Sequence, residues 1–507
     1  MTFEQILQGA EVLSQTGEAS ITGVAYDSRR VKPGYVFVAM KGETSDGNQF
    51  IDRAMSAGAV AVVTDSAAAR PRPDVAWAQV PHGRRALARI SANFYKRPAE
   101  RLSITGVTGT NGKSTSAFLL ESILRAAGRK SLLVGTIEYH LAGKILPAPH
   151  TTPEPLELNQ MLAEAVGQGA TEAVMEVSSH ALAQQRVFAV PFDVAVFTNL
   201  TRDHLDYHRT MEEYFDAKRI LFEGCGTEPP RATVINADDE YGAKLVKISK
   251  SVGSKVFTYG WSTGDFRAQK VDISSRGTRF DMITPDGVLA LYSPMLGKVN
   301  VYNILDAAAA AYARSCSCED IAAGVAALER VPGRFERVDC GQPFTIVVDY
   351  AHTDDALRNL TSLAREFVTQ AGQKGRVLTV FGCGGDRDRA KRPMMGEAAG
   401  RGSDFAVLTS DNPRSEDPLA IMNDAMVGLQ RSGAKYAMEP DRRPAIALAI
   451  GEARPGDIVL IAGKGHEKVQ VTRTGSIPFD DVEVAREVLG KCGYECRTAT
   501  VGAGQKG

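Results

Sequence analysis

Thr105-Gly-Val-Thr-Gly-Thr-Asn-Gly-Lys-Ser-Thr115 lies between a short apolar strand through Ile104 and a stretch from Ser116 to Ala127 with helical apolar spacing. Glycines at a strand-to-helix turn let successive backbone N–H groups point inward, and the helix N-terminus adds partial positive charge. Lys113 supplies a full charge, and Ser114 can hold Mg²⁺. The stretch therefore reads as a phosphate cradle formed by Gly109, Thr110, Asn111, Gly112, Lys113, Ser114 and Thr115. It departs from the usual nucleotide loop in one respect: the first glycine stands at Gly106, one residue earlier than the common spacing places it.

Working outward, 507 residues suggest about three domains at ~150 residues each. With 59 basic against 60 acidic side chains the net charge is -1, which argues against a general nucleic-acid binder. Seven cysteines without C-x-x-C pairing predict free thiols and a reducing compartment. No apolar run approaches the ~20 residues of a membrane span, and the start lacks a basic signal-peptide region, so a cytoplasmic protein is expected.

The expected fold class is α/β in three domains. Residues 1–97 alternate apolar runs such as Ala59–Thr64 with helical stretches and form a small α/β unit. Residues 98–332 alternate strands (Glu172–Val177, Phe192–Asn199) with helices, which favours a mostly parallel sheet around the cradle. Pro332-Gly333 punctuates the chain. In residues 333–507, the runs from Phe344, Arg376, Phe405 and Asp457 end in Asp, Gly or Ser, as expected of a Rossmann-like sheet with its own ligand site. Arg497 to Gly507 reads as a polar tail.

In the middle domain, Glu176 ends one strand and is followed by Ser178-Ser179-His180, while Thr201-Arg-Asp-His204 follows another. Both clusters project from the sheet edge that carries the cradle. A carboxylate and an imidazole facing a triphosphate suit Mg²⁺, so Glu176 and His204 can complete shells begun by Ser114.

The chain resembles the Mur ligases of peptidoglycan synthesis. The segments that carry the likeness are Thr108–Thr115, His150-Thr-Thr-Pro153, Glu176–His180, Asn199–His208, Asp349-Tyr-Ala-His-Thr353 and Gly463-Lys-Gly-His-Glu467. They run in family order over nearly the whole chain. The resemblance implies an ATP-dependent amide ligase acting through an acyl phosphate on UDP-MurNAc-L-Ala-D-Glu. It implies Lys113, Glu176, His204 and Lys218 as catalytic residues, with Lys218 carbamylated so that it joins Ser114, Glu176 and His204 on Mg²⁺. Asn303, Arg334, Asp349 and His352 would hold ATP; Ser28, in Asp27-Ser28-Arg29, and the Asp46-Gly47 turn would meet the uridine diphosphate. Thr151, Thr152, Ser178, Gln184 and Arg186 would contact the muramoyl peptide. One departure stands out: where the family usually has proline after His352-Thr353, this chain has Asp354, which is expected to loosen the loop and add negative charge near ATP.

For the incoming amine, Asn412-Pro413 forces an extended turn that presents Arg414, and an arginine fork suits a carboxylate. In the family, Asp411-Asn412-Pro413-Arg414 looks like the mark of selection for meso-diaminopimelate over L-lysine, which lacks the second carboxylate. Arg387, Gly463 and Glu467 would complete that pocket. The implied partners are the two small-molecule substrates, with no nucleic acid and no membrane span, and the chain is expected to be a monomer. Two rivals stay open: another amide ligase of the superfamily, such as a folylpolyglutamate synthase or a lysine-adding enzyme, and a catalytically silent scaffold.

Overall fold

The apolar runs form three separate sheets in the computed structural model, which describes residues 1–43, 45–141, 143–274, 276–370 and 375–496. The first sheet has five strands between Ser14 and Gln79, parallel except for the edge strand Ser14–Thr16. The polar tail from Arg497 lies outside the described residues.

The middle sheet has eleven strands. Strand Ser103–Thr108 lies in its interior, parallel to Glu172–Glu176 on one side and to Phe192–Phe197 on the other. The chain passes from this strand to Ser131–Val134 on one side and from Phe192–Phe197 to Ala232–Asn236 on the other, so the connections separate at the carboxyl end of Ser103–Thr108, the usual ligand position in open α/β sheets. Val, Ala and Ile on alternate faces pack against two separate cores, one holding helices Lys113–Ala126 and Lys298–Ala313, the other holding Pro155–Gly167 and Met211–Glu223. The alternation of strand and helix does not extend to the edges. Phe266–Ser274, Gly277–Thr284 and Gly287–Ser293 form an antiparallel ribbon, and Glu138–Leu141 pairs antiparallel with Lys144–Pro147.

The third sheet has six strands, with Thr345–Asp349, Ile458–Ala462, Val377–Phe381, Phe405–Leu408 and Tyr436–Met438 all parallel. A parallel sheet with helices on both faces agrees with the Rossmann-like expectation. Deep within it, Arg442 makes an ion pair with Asp481 at 2.7 Å and donates to the carbonyl of Ala462 at 2.9 Å, tying helix starts to a strand end.

Two expectations are corrected. Cys340 and Cys496 are disulfide-bonded, so the cysteines are not all free; the bridge spans 156 residues, a separation no local spacing reveals. Asp354 does not loosen its loop. It opens helix Asp354–Gln370, a position where a carboxylate is favoured, and its charge is answered by Arg358 at 2.5 Å.

The join between the middle and third sheets is tight. Gly333 has φ +66°, and a Cβ there would overlap the backbone of His466, so only glycine fits.

Candidate active site

Helix Lys113–Ala126 begins within the cradle, with Gly112 left-handed at its N-cap. Gly109 (φ +152°) packs so closely on the Thr198 hydroxyl that any side chain would collide. The loop is held by its neighbours: Asn111 N–H donates to Asn199 Oδ1 at 3.0 Å, Thr198 Oγ1 donates to the Asn111 carbonyl at 2.6 Å, and Thr110 N–H donates to the Asn199 carbonyl at 2.9 Å. Lys113 Nζ curls back onto the carbonyls of Gly109 and Thr110 at 3.0 and 2.8 Å. Burial pushes its ammonium below the ordinary lysine value, and Glu176 partly offsets this.

A cavity of about 550 Å³ opens above the loop. From the middle sheet it is lined by Thr110 to Thr115, Glu176 and His204, and by Thr151, Thr152, Ser178, Gln184 and Arg186. Asn303 reaches it from helix Lys298–Ala313; Arg334, Asp349, His352 and Arg387 reach it from the third sheet and its approach. The structure thus brings most of the expected residues together. It places Lys218 behind the loop, against the Gly109 carbonyl at the loop's start, Ser28 in a turn of the first sheet (Ser28–Arg30), and Asp411, Asn412, Arg414, Gly463 and Glu467 in a separate cluster.

Glu176 is buried at its strand end and accepts from Thr136 N–H at 2.8 Å and Thr136 Oγ1 at 2.9 Å, which fixes the carboxylate rim. His204 sits in left-handed backbone (φ 55°), and burial lowers its imidazole to about 3 although Asp203 opposes the shift. The ring is therefore neutral, the form that ligates metal. Asp203 is held well below the carboxylate range: burial would raise it, but the hydrogen bond from His352 and the Lys391 ammonium oppose burial. Lys218, fully buried over the Tyr214 ring at 4.6 Å, donates to the Gly109 carbonyl at 2.8 Å. Burial and then Lys113 push its amine well below the lysine value. Among the described residues no three His, Cys, Asp or Glu side chains form a closed metal site. Sparse protein donors beside a phosphate loop fit Mg²⁺, which keeps waters and phosphate oxygens in its shell.

The cradle is also touched from the third sheet's side. Arg334 Nη2 donates to Ser114 Oγ at 3.2 Å and its guanidinium lies over Tyr350 at 4.8 Å. Asn111 Nδ2 donates to Asp355 at 3.1 Å. Asp349 accepts from Phe335 and Ala351 N–H at 2.7 and 2.8 Å, fixing the linker. On the acceptor side, Thr152 Oγ1 donates to the Glu176 carbonyl at 2.8 Å and accepts from Ser178 N–H at 3.1 Å; Arg186 donates to Gln184 Oε1 at 2.8 Å. Glu43 of the first unit accepts from Gln184 at 2.9 Å and from Tyr207 at 2.5 Å.

Arg414 is left-handed (φ 53°) and donates to the carbonyls of Gly385 at 2.8 Å and Asn412 at 3.4 Å. It forms no ion pair among the described residues, while Lys464 is shared by Asn412 Oδ1 and Glu467 at 3.1 and 2.9 Å. Gly463 is packed against Asp411, where a Cβ would overlap the carboxylate. Burial and the nearby Arg387 push Arg414 below its usual value, although a guanidinium remains charged.

Sequence reasoning passed over Thr136, Asp203, Asn199 and Asp355. Asn199 and Asp203 lie inside a segment already singled out, so position gave a signal; Thr136 and Asp355 gave none.

A phosphate loop, a rim of metal-suited donors and a facing Rossmann-like sheet define a nucleotide-binding protein of the phosphate-loop α/β class. The chain belongs to the Mur ligase family: the family models described as Mur ligase family, catalytic domain, Mur ligase middle domain, and Mur ligase, glutamate ligase domain match residues 20–95, 107–311 and 333–465. A UDP-N-acetylmuramoyl-L-alanyl-D-glutamate–2,6-diaminopimelate ligase from Solibacter usitatus is 54% identical over 95% of this chain and 96% of its own length. The protein of the same name from Geobacter metallireducens is 45% identical over 91% and 93%. A solved structure of that name superposes with a TM-score of 0.67 at 33% identity, covering 97% of this chain and 99% of its own.

Proposed function

We propose that this chain is an ATP-dependent, ADP-forming ligase that adds meso-diaminopimelate to UDP-MurNAc-L-Ala-D-Glu in cytoplasmic peptidoglycan precursor synthesis, working as a monomer. The observation that carries the choice of amine is Arg414. Its guanidinium is fixed by carbonyl oxygens alone, beside Arg387 and with no carboxylate partner among the described residues. A substrate with a carboxylate at its far end supplies that partner; lysine does not, and an unmatched buried charge disfavours binding by roughly 2 kcal/mol or more.

On this reading the domains are 1–97 for the uridine nucleotide, with Ser28 at its site, 98–332 for ATP and 333–507 for the amino acid. The cradle N–H groups and Lys113 receive the β- and γ-phosphates, while Asn303, Arg334, Asp349 and His352 hold the rest of the nucleotide. Thr151, Thr152, Ser178, Gln184 and Arg186 orient the peptide so that its terminal carboxylate faces the γ-phosphorus. Phosphoryl transfer gives an acyl phosphate and ADP. The amine then attacks the acyl carbon, and collapse of the tetrahedral intermediate releases inorganic phosphate and leaves the amide. Lys113 and Arg334 offset the negative charge that gathers during transfer. Mg²⁺, when bound, supplies further neutralisation there; Ser114, Glu176, His204 and a carbamylated Lys218 would hold it. Lys218 suits carbamylation because its amine is driven toward the neutral form, the form that adds CO₂. Asp411, Asn412, Gly463 and Glu467 shape the pocket around Arg414.

The test is ATP-dependent phosphate release with UDP-MurNAc-L-Ala-D-Glu and either diaminopimelate or lysine. Release with diaminopimelate alone is expected; release only with lysine, or with neither, refutes the reading.

A further inference from the structure

Two neighbouring residues of the loop after strand Phe192–Phe197 meet two residues at the start of helix Lys391–Gly402 across the boundary between the middle and third sheets. Arg202 Nη2 lies 3.2 Å from Asp388 Oδ2, and Lys391 Nζ lies 3.2 Å from Asp203 Oδ1. The charges are opposed in order: positive then negative along one segment faces negative then positive along the other. Asp203 and Lys391 are 4% and 7% exposed, so both are taken from water in this arrangement. Asp203 Oδ2 also faces His352 Nε2 at 3.6 Å and His204 Nε2 at 3.5 Å.

Each pair adjoins a cavity residue. Arg387 precedes Asp388, and His204 follows Asp203; both line the cavity. Asp388 Oδ1 accepts from Ala390 N–H at 2.9 Å, so the helix start cannot shift without moving the pair. A buried charge is tolerated only beside its partner, and a displaced register would bring like charges together.

We propose that Asp203–Lys391 and Arg202–Asp388 form a two-pair lock that registers the third unit on the middle one and so sets Arg387 in place for the incoming amino acid. Lys391 is a positioning residue in this scheme: it touches no reacting atom and acts through Arg387 and Asp203. The kinetic half of the proposal rests on the diaminopimelate ligase reading above; the structural half does not.

The test compares Lys391→Met with Lys391→Arg, the first removing the charge at similar length and the second keeping it. Small-angle scattering on the full chain reads the lock without any turnover: a larger radius of gyration is expected for Lys391→Met than for wild type, with Lys391→Arg close to wild type. In kinetics, the KM for diaminopimelate should rise about tenfold or more in Lys391→Met while the KM for the UDP-dipeptide stays near wild type, and Lys391→Arg should recover most of the loss. Identical scattering for Lys391→Met and wild type overturns the lock. So does an equal rise in every KM, or a Lys391→Arg variant as impaired as Lys391→Met. Wild-type protein that releases no phosphate with diaminopimelate overturns the functional reading instead, and leaves the scattering result to decide the lock.

Discussion

The phosphate cradle and the Arg414 turn both lie at the carboxyl ends of parallel strands, yet their polar groups are answered differently. Around the cradle, partners come from both sides of the unit boundary: Asn199 from the middle unit for Asn111, and Asp355 and Arg334 from the third for Asn111 and Ser114. Around Arg414, the partners are carbonyls of its own unit. Carbonyls fix the direction of a guanidinium without neutralising it. The first region is thus an assembled machine part, and the second is a charge held open for a ligand.

The sharpest way to break that contrast is Lys113→Ala. On the proposed roles it should lower kcat by about 10³-fold or more with folding intact, as loss of a central charge stabiliser does; a fall below tenfold would mean the cradle does not carry the phosphoryl step. Next comes Lys218→Ala, expected to cost about 10²-fold or more in phosphate release, with partial recovery when a short-chain carboxylic acid is added. Full activity without the acid would remove Lys218 from the site. Arg414→Ala probes the other region. The ratio of kcat/KM for diaminopimelate over lysine should fall about 10²-fold while the peptide's KM holds, and an unchanged ratio would falsify the assignment of the open charge.

Two smaller effects sharpen the comparison through the scaffold. Gly333→Ala joins the regions badly, since it forces left-handed strain and a backbone overlap with His466; a stability loss of about 2 kcal/mol is expected in chemical denaturation. His140 braces the cradle helix by facing Glu121 at 2.7 Å and Glu138 at 2.9 Å. Burial alone would lower its pKa, but the two carboxylates raise it to about 9 from 6.5. A folded pKa above the unfolded one means the contribution is fully present below about pH 6.5 and is lost as pH rises toward 9. Because the ring is partly solvated, the effect is under about 1 kcal/mol. His140→Gln should flatten the wild-type decline in stability over that window.

Legibility followed sequence distance. Strands such as Phe192–Phe197 and Ile458–Ala462 were readable because buried parallel strands are short apolar runs with polar ends. The cradle was readable because glycine, lysine and serine act within one turn. The antiparallel ribbon from Phe266 to Ser293 was not, since its half-exposed strands carry a weaker pattern. Thr136 was missed because its role exists only through Glu176, forty residues away in sequence. Asp355 likewise acquires meaning only when the third unit docks on Asn111. The setting of Asp354 depends on Arg358, one helical turn further on, a pairing that exists only once the helix has formed.

Arg334 stands one residue beyond Gly333, at the tight join, and also touches Ser114 of the cradle. The joint between the units and a contact to the phosphate site are therefore one object. Linkage then imposes reciprocity: if nucleotide at the cradle favours the docked arrangement by some factor, an amino acid that favours the same arrangement must tighten nucleotide binding by that factor too. A titration of nucleotide affinity with and without the amino acid would read the coupling directly, and its size would measure how far this joint serves as a wire between the two pockets.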